Sequence, residues 1–328
     1  MKEGRRRGKR WERGGAPARG APRRAHARRR TEGVAGAPGR RNIRPPQTPG
    51  PVSSRNPLGR IGSYAVLALA ALVAVYPVTY ILTISLRPGD RLLSKSLAII
   101  PDGATLANYT ELLTATPFLR WLGNSVLVAL VVTITGVALA STAGYALSRF
   151  RFRGRNAALS GILITQMFPA TMLLLPLYIV LIKLGLLNSY LAIVVIYTAT
   201  ALPFCVWQMK GYYDTIPASL EEAAKIDGAT PWQSFYKVIL PLAAPALVIT
   251  ALFSFMSAWN EYVVAAVVLQ DTELFTLPVG LKLFQAQLNT QWGLYAAGSL
   301  LVSLPVVVLF LVLSRFLISG LTMGAVKG

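Results

Sequence analysis

Beyond about residue 60 the chain alternates between long apolar runs and short polar interruptions. The runs predict six membrane spans: about Ile61 to Leu86, Leu122 to Leu147, Ala157 to Ile182, Tyr190 to Met209, Leu242 to Leu269 and Tyr295 to Leu317. Each reaches the roughly 20 residues needed to cross about 30 Å of hydrocarbon, where a helix satisfies its own backbone hydrogen bonds. The fold class this predicts is all-α, a polytopic membrane protein with six transmembrane helices. Pro77, Pro169, Pro176, Pro203, Pro245 and Pro305 fall inside the runs. A proline costs about 3 kcal/mol in a soluble helix. Inside a bundle, neighbouring helices re-satisfy the freed carbonyls, so these prolines predict bends rather than ends.

One interruption differs from the others. Residues 215–240 are polar and predict two short helices in series. Thr215-Ile-Pro217 supplies a start, good helix formers run from Ala218 to Asp227, and Gly228 suits the left-handed position that ends a helix. Thr230 is placed as the next N-cap, with Pro231 in the first turn and Gln233 set for a capping box. Leu240-Pro241 is expected to end the second helix. Leu220, Ala223, Ala224 and Asp227 share one face of the first helix; Trp232, Phe235, Tyr236 and Ile239 share one face of the second. Helices this short are unstable alone in water and need a surface to lie on. By periodicity alone that surface is either lipid and the ends of the chain's own spans, with Glu222 closing a capping box from Ser219, or another protein. Small Ala223 and Ala224 beside Glu221, Glu222 and Asp227 favour protein, since an anionic membrane repels carboxylates and alanines allow close backbone approach.

Charge sets the orientation. The chain has 328 residues, 54% of them apolar and 14% charged, with a formal net charge of +20. That excess is local: 18 of the 33 Lys and Arg residues precede Ile61, against three of the 13 acids. Residues 1–60 are Arg, Gly, Pro and Ala with almost no large aliphatics, too little apolar surface to offset chain entropy, and are read as a disordered tail. Its clusters Arg5 to Arg7 and Arg28 to Arg30 read best as attracted to lipid headgroups, at about 1 kcal/mol per residue near anionic lipid. A nucleic-acid-binding arm, an organelle-targeting peptide and a mis-assigned start are the other readings. A secretory signal is excluded, because the apolar run comes too late and is too long. Arg149, Arg151, Arg153, Arg155, Lys210, Lys225, Lys237, Arg315 and Lys327 fall on the same side as this tail. Loops 87–121, 183–189 and 270–294 carry Asp90, Asp102, Glu111, Asp271 and Glu273. The positive-inside rule therefore predicts both termini and the 215–240 segment in the cytoplasm.

Catalytic chemistry has little to work with. A single Cys205 and a single His26 leave no disulfide framework, no Cys/His metal site and no Ser-His-Asp triad in the spans. No GxxxxGK[ST] phosphate loop is present, so any nucleotide belongs on another chain. No catalytic residue, metal or cofactor is expected, and Cys205 is read as inert packing. Polar groups within the spans are candidates for a wet translocation path: Trp259, Asn260, Glu261 and Tyr262 in the fifth, and Gln166 in the third. Aromatic faces with hydrogen-bonding groups suit a sugar. The competing readings are that Glu261 snorkels to the interface and that Gln166 makes a helix–helix hydrogen bond.

The 215–240 segment resembles the cytoplasmic "EAA" motif of binding-protein-dependent ABC importer permeases, E-A-A-x3-G-x9-I-x-L-P. The match runs through Glu222, Ala223, Ala224, Gly228, Leu240 and Pro241, with Val238 where the pattern has Ile. The likeness covers the chain from about residue 60 to the end. The run from Lys210 to Ala224, Gln166 to Pro169, Thr276 to Gly280 and the last nine residues are similar to the sugar branch of that family. Within it they resemble the smaller, six-span permease subunit of maltose/maltodextrin importers. The basic tail departs from the family, and nothing is carried over to it.

The resemblance implies a type I ABC importer permease fold and an ATPase-coupling role for Glu222, Ala223, Ala224, Asp227, Gly228, Leu240 and Pro241. Glu222 takes the part of the acid that pairs with a basic residue of the ATPase. Thr276, Leu277, Gly280, Asn289 and Trp292 become candidates for contact with an extracytoplasmic sugar-binding protein, and the last residues for a tail reaching between paired ATPase subunits. Implied partners are a second homologous permease, two ATPase subunits, that binding protein and membrane lipid, with no specific nucleic acid. The implied function is sugar import across the cytoplasmic membrane of a bacterium by ATP-driven alternating access, with maltose/maltodextrin as cargo. Trehalose, another oligosaccharide or glycerol phosphate are alternatives within the class. Outside it stand a membrane-anchored nucleic-acid-binding protein and an ATP-independent secondary carrier.

Overall fold

The computed structural model describes residues 57–89, 92, 98, 100–285 and 290–325, and only the backbone of 57–60, 170 and 315–325. Residues 1–56, which carry the arginine clusters, lie outside the described residues, as do Asp90, Asn289 and Lys327. Every regular element among the described residues is helical.

Helix α1 spans Pro57–Ser85 and runs through Pro77 without ending. No part of its most apolar stretch is buried by the described chain. The short α2 (Ala107–Thr114) is pinned to the end of α1 by Asn108, whose Nδ2 donates to the carbonyls of Ser85 and Arg87 at 2.9 and 3.1 Å. Helix α3 (Phe118–Arg149) follows, then α4 (Arg155–Thr165), a 3-10 turn at Ala170–Leu173, α5 (Leu174–Leu184) and α6 (Tyr190–Thr215). Ser189 caps α6 by accepting from the Ala192 amide.

The third predicted span is not one helix. It breaks between Thr165 and Ala170, where Pro169 has φ −59° and ψ 126°. Proline lacks the N–H that would continue the ladder and pushes the residue before it out of the helical region. The two pieces, α4 and α5, have 11 residues each, so each is only about 17 Å long at 1.5 Å per residue.

The polar segment forms α7 (Ser219–Ile226) and α8 (Pro231–Gln233), continues as a π-helical turn over Ser234–Ile239, and closes as α9 (Leu240–Leu242). Helix α10 (Ala244–Trp259) leaves at 79° to it. Leu240-Pro241 therefore does not end the second helix; the bend comes at Ala243. The π turn closes when the Leu240 amide donates to the Phe235 carbonyl, five residues back, so Pro241 opens a new helical piece where a missing N–H is tolerated. After α10 the chain opens at Asn260–Tyr262 and restarts as α11 (Val263–Val268). A 3-10 turn (Thr272–Leu274), α12 (Leu277–Lys282) and α13 (Trp292–Ala325) complete the order, with Pro305 inside α13.

Among the described residues, four helices are long and apolar enough to cross a membrane: Ile61–Ser85, Phe118–Arg149, Tyr190–Thr215 and Trp292–Ser314. The bent pair Pro231–Leu242 and Ala244–Trp259 makes up to five, against the six predicted. Two buried clusters hold the packed helices. One gathers Trp121, Tyr197, Phe255, Trp259 and Leu277 toward the α12 end; the other gathers Tyr145, Met209, Tyr213, Phe235 and Ile239 toward the α7 end. At the second cluster α3 and α6 cross closely: a Cβ at Gly144 would stand 2.8 Å from the Met209 Cβ and 3.0 Å from the Lys210 nitrogen.

Candidate functional site

Each turn of the 215–240 segment has a local cause. Helix α7 ends at Gly228, whose φ of 86° puts it in the left-handed region. There its amide donates to the Lys225 carbonyl and the Ala229 amide to the Ala224 carbonyl, at 3.0 and 2.9 Å. The capping box at Thr230 is formed. Its hydroxyl accepts from the Gln233 amide at 3.2 Å, and the Gln233 side-chain oxygen accepts from the Thr230 amide at 2.8 Å. No such box forms from Ser219: the N-cap is Ala218, with no side-chain cap. Glu222 is exposed, and its side chain makes no hydrogen bond or ion pair among the described residues.

The adjacent carboxylate behaves oppositely. Glu221 is buried, forms an ion pair with Arg149, and accepts a 2.9 Å hydrogen bond from the Tyr145 hydroxyl. In the sequence Glu221 reads only as one more acid beside the motif; the signal that points to it is Arg149 closing α3 with no acidic neighbour on its own helix. The apolar stripe of α7 consequently faces outward. Leu220, Ala223 and Asp227 are exposed and Ala224 is half-buried, while Ile226, outside the stripe, is 87% exposed. The stripe of the second helix divides: Phe235 and Ile239 are buried, while Trp232 and Tyr236 stay exposed at 62% and 40%. The segment thus exposes several apolar side chains and one unpaired carboxylate.

At the other end, Trp259, Asn260 and Tyr262 meet Pro278, Leu281, Lys282 and Gln285 of the α12 region and Tyr295, Ser299 and Val302 of α13 around a cavity of about 440 Å³. Lys282 Nζ donates to Gln285 Oε1 at 2.6 Å, and Asn260 Nδ2 to the Met256 carbonyl at 2.9 Å. Three aromatic rings with amide, ammonium and hydroxyl groups can offer both stacking faces and hydrogen bonds to a polar solute. Glu261 does not line this cavity. It accepts from the Tyr197 hydroxyl at 2.6 Å and from the Val264 and Ala265 amides at 2.8 and 3.1 Å, capping the start of α11. Gln166 is also elsewhere, exposed beside the α4 break, with its amide 3.4 Å from the Thr200 carbonyl of α6.

Residues 136–318 match the family described as "Binding-protein-dependent transport system inner membrane component". The chain is 37% identical over 287 residues to the maltose/maltodextrin transport system permease protein MalG of Yersinia pestis, covering 82% of this chain and 93% of that one. The chain belongs to this family. It is likewise 37% identical over 270 residues to the galactooligosaccharides transport system permease protein GanQ of Bacillus subtilis (strain 168), covering 81% and 95%. Among solved structures it is similar to a bacterial ABC transporter involved in the import of the acidic polysaccharide alginate, with a TM-score of 0.71 and 28% identity over 81% of this chain and 99% of that chain. The protein is thus a multi-pass ABC importer permease, a transport component rather than an enzyme.

The permease turns three of its expected binding-protein contacts inward. Thr276, Leu277 and Gly280 are buried. Leu277 donates its amide to Ser125 Oγ at 2.7 Å, and Gly280 lies against Trp121. The loop before them is clamped to α3 by Trp121 Nε1 on the Thr272 carbonyl at 2.8 Å, Asn124 on the Glu273 and Phe275 carbonyls at 2.9 Å, and an Arg120–Glu273 ion pair. Leu277 and Gly280 thus help seat this loop against α3. Trp292 remains half-buried at the start of α13.

Proposed function

We propose that this permease imports a sugar, of the maltose/maltodextrin type, by passing the work of a separate ATPase into its spans through α7 and α8. Its partners in this reading are a second homologous permease, two ATPase subunits and an extracytoplasmic sugar-binding protein. Both termini and residues 215–240 face the cytoplasm. The third span crosses as the α4–α5 pair and the fifth as α10–α11, which restores six crossings. The observation that carries the reading is the exposed, unpaired Glu222 carboxylate on a segment that also exposes Ala223, Ile226 and Trp232. A carboxylate flanked by exposed apolar residues suits a groove that carries a basic side chain. ATP binding closes the ATPases, moves this patch, and favours the outward-open state through contacts that differ between the two states.

Trp259, Asn260, Tyr262 and the cavity they share with Lys282, Gln285, Tyr295 and Ser299 form part of the sugar's path. A different oligosaccharide is the second reading, favoured by the equal 37% identity to the galactooligosaccharide permease. Uptake of labelled maltose, maltotriose and galactobiose by a deletion strain carrying this permease and its partners separates the two. Accumulation of none of them by that strain contradicts both.

A further inference from the structure

Helix α7 has one buried residue, Glu221, whose carboxylate ties it to α3, and the helix also packs on the π turn. Before it lies the extended Ile216 with Pro217; after it lies the left-handed Gly228. We propose that the Glu221 carboxylate, gripped by Arg149 and Tyr145, is the joint that carries movement of the coupling helices into α3 and α6. Glu221 is then a positioning residue of the transport cycle, with a task separate from that of Glu222.

The geometry concentrates four elements on this one group. Arg149 closes α3 and reaches both the Glu221 carboxylate and, through Nη2, the Ile216 carbonyl at 2.9 Å. Its neighbour Ser148 donates to Asp214 at 2.6 Å, tying the same end of α3 to the end of α6. The Tyr145 ring packs edge-on against Tyr213 of α6 at 5.9 Å and tilted against Phe235 of the π turn at 4.6 Å, while its hydroxyl holds Glu221. The Glu221 and Arg149 side chains are 8% and 14% exposed. Two charges withdrawn from water hold together only while their geometry is kept, so this contact is stiff where a surface ion pair would be compliant.

Stiffness at this point has a mechanical consequence. Because α3 and α6 pack backbone to backbone at Gly144, a displacement delivered to Arg149 moves the two helices together. A push on the exposed face of α7 therefore reaches α3 through side chains, in addition to the chain connections at Ile216–Pro217 and Gly228. Successive helical residues point about 100° apart, which lets one glutamate face the partner while the next grips the permease. Replacing Glu221 by a neutral isostere keeps the packing and removes the grip.

This inference rests on the reading that α7 and α8 dock an ATPase. The test uses the full complex, with partner permease, ATPases and binding protein, in proteoliposomes, and reads the solute imported per ATP hydrolysed. Glu221→Gln and Arg149→Lys are expected to retain the ATPase and to hydrolyse ATP while that ratio falls about tenfold, the scale of one lost charge-assisted hydrogen bond. Tyr145→Phe is expected to lower the ratio less. A purely structural role would reduce the yield of complex and leave the ratio of the assembled fraction unchanged, which overturns the proposal. Where Glu221→Gln fails to assemble, Arg149→Lys and Tyr145→Phe decide by the same ratio. Glu222→Lys serves as the separate control. If it still holds the ATPase, the docking reading is lost; if it releases the ATPase while Glu221→Gln keeps a normal ratio, only the joint is lost.

Discussion

Gly280 lies so close to the Trp121 indole that a Cβ at position 280 would stand 2.2 Å from ring atom Cε3. The contact joins α12 to α3 across a long stretch of sequence and seats the loop that Asn124 and Arg120 also hold. Gly280→Ala therefore cannot be absorbed without moving the ring. It is expected to lower stability by about 1–3 kcal/mol, the usual cost of overpacking, read as an earlier thermal unfolding transition in detergent. Gly161→Ala, with nothing within 4 Å of the added methyl, should leave that transition in place.

The same contrast tests the α3–α6 crossing. Gly144→Ala would push a methyl against Met209 and the Lys210 backbone, whereas position 211 has open space. The first substitution is expected to reduce both stability and ATP-driven uptake. Gly211→Ala should leave uptake unaltered and add slightly to helix stability, by about 1 kcal/mol at most. Equal behaviour of the two would show that the helices are not packed as described.

Glu261 accepts three hydrogen bonds, so its removal leaves one hydroxyl and two amides without their partner. Glu261→Ala should destabilise by about 1–3 kcal/mol, and Glu261→Gln by less. Neither is expected to change the KM for sugar uptake. A raised KM in a Glu261→Gln permease of normal stability would return this residue to the path.

Tyr262 and Asn260 make the opposite case. Both line the cavity and both are exposed. Asn260→Ala and Tyr262→Ala should leave thermal unfolding unchanged and raise the KM roughly two- to tenfold, the range expected for one lost hydrogen bond. Unchanged KM in both variants would remove the cavity from the sugar's route.

Much of this molecule could be read from its residues, and the exceptions have physical causes. The capping box at Thr230 and the helix end at Gly228 are set by side chains within a few positions, so local sequence sufficed. Pro203 and Pro169 look alike in sequence, yet α6 runs through one and the helix breaks at the other. Helix α6 has 44% of its most apolar window buried, so packed neighbours surround the strained turn, whereas the residues around Pro169 are exposed in this chain. Which of two adjacent glutamates turns inward was also beyond sequence, because the deciding guanidinium lies 72 residues away. The burial of Leu277 likewise depends on Trp121 and Ser125, about 150 positions earlier.

The central claim concerns one surface: the exposed Glu222 and its apolar surroundings grip an ATPase. It is tested most directly by isolating the tagged permease complex, native and Glu222→Lys, and measuring the ATPase that comes with it, alongside ATP-dependent sugar uptake. The native complex should carry the ATPase, and the variant should lose both it and uptake while its thermal unfolding is unchanged, since the exposed Glu222 side chain makes no hydrogen bond or ion pair among the described residues. Full retention of the ATPase and of uptake by Glu222→Lys would contradict the account.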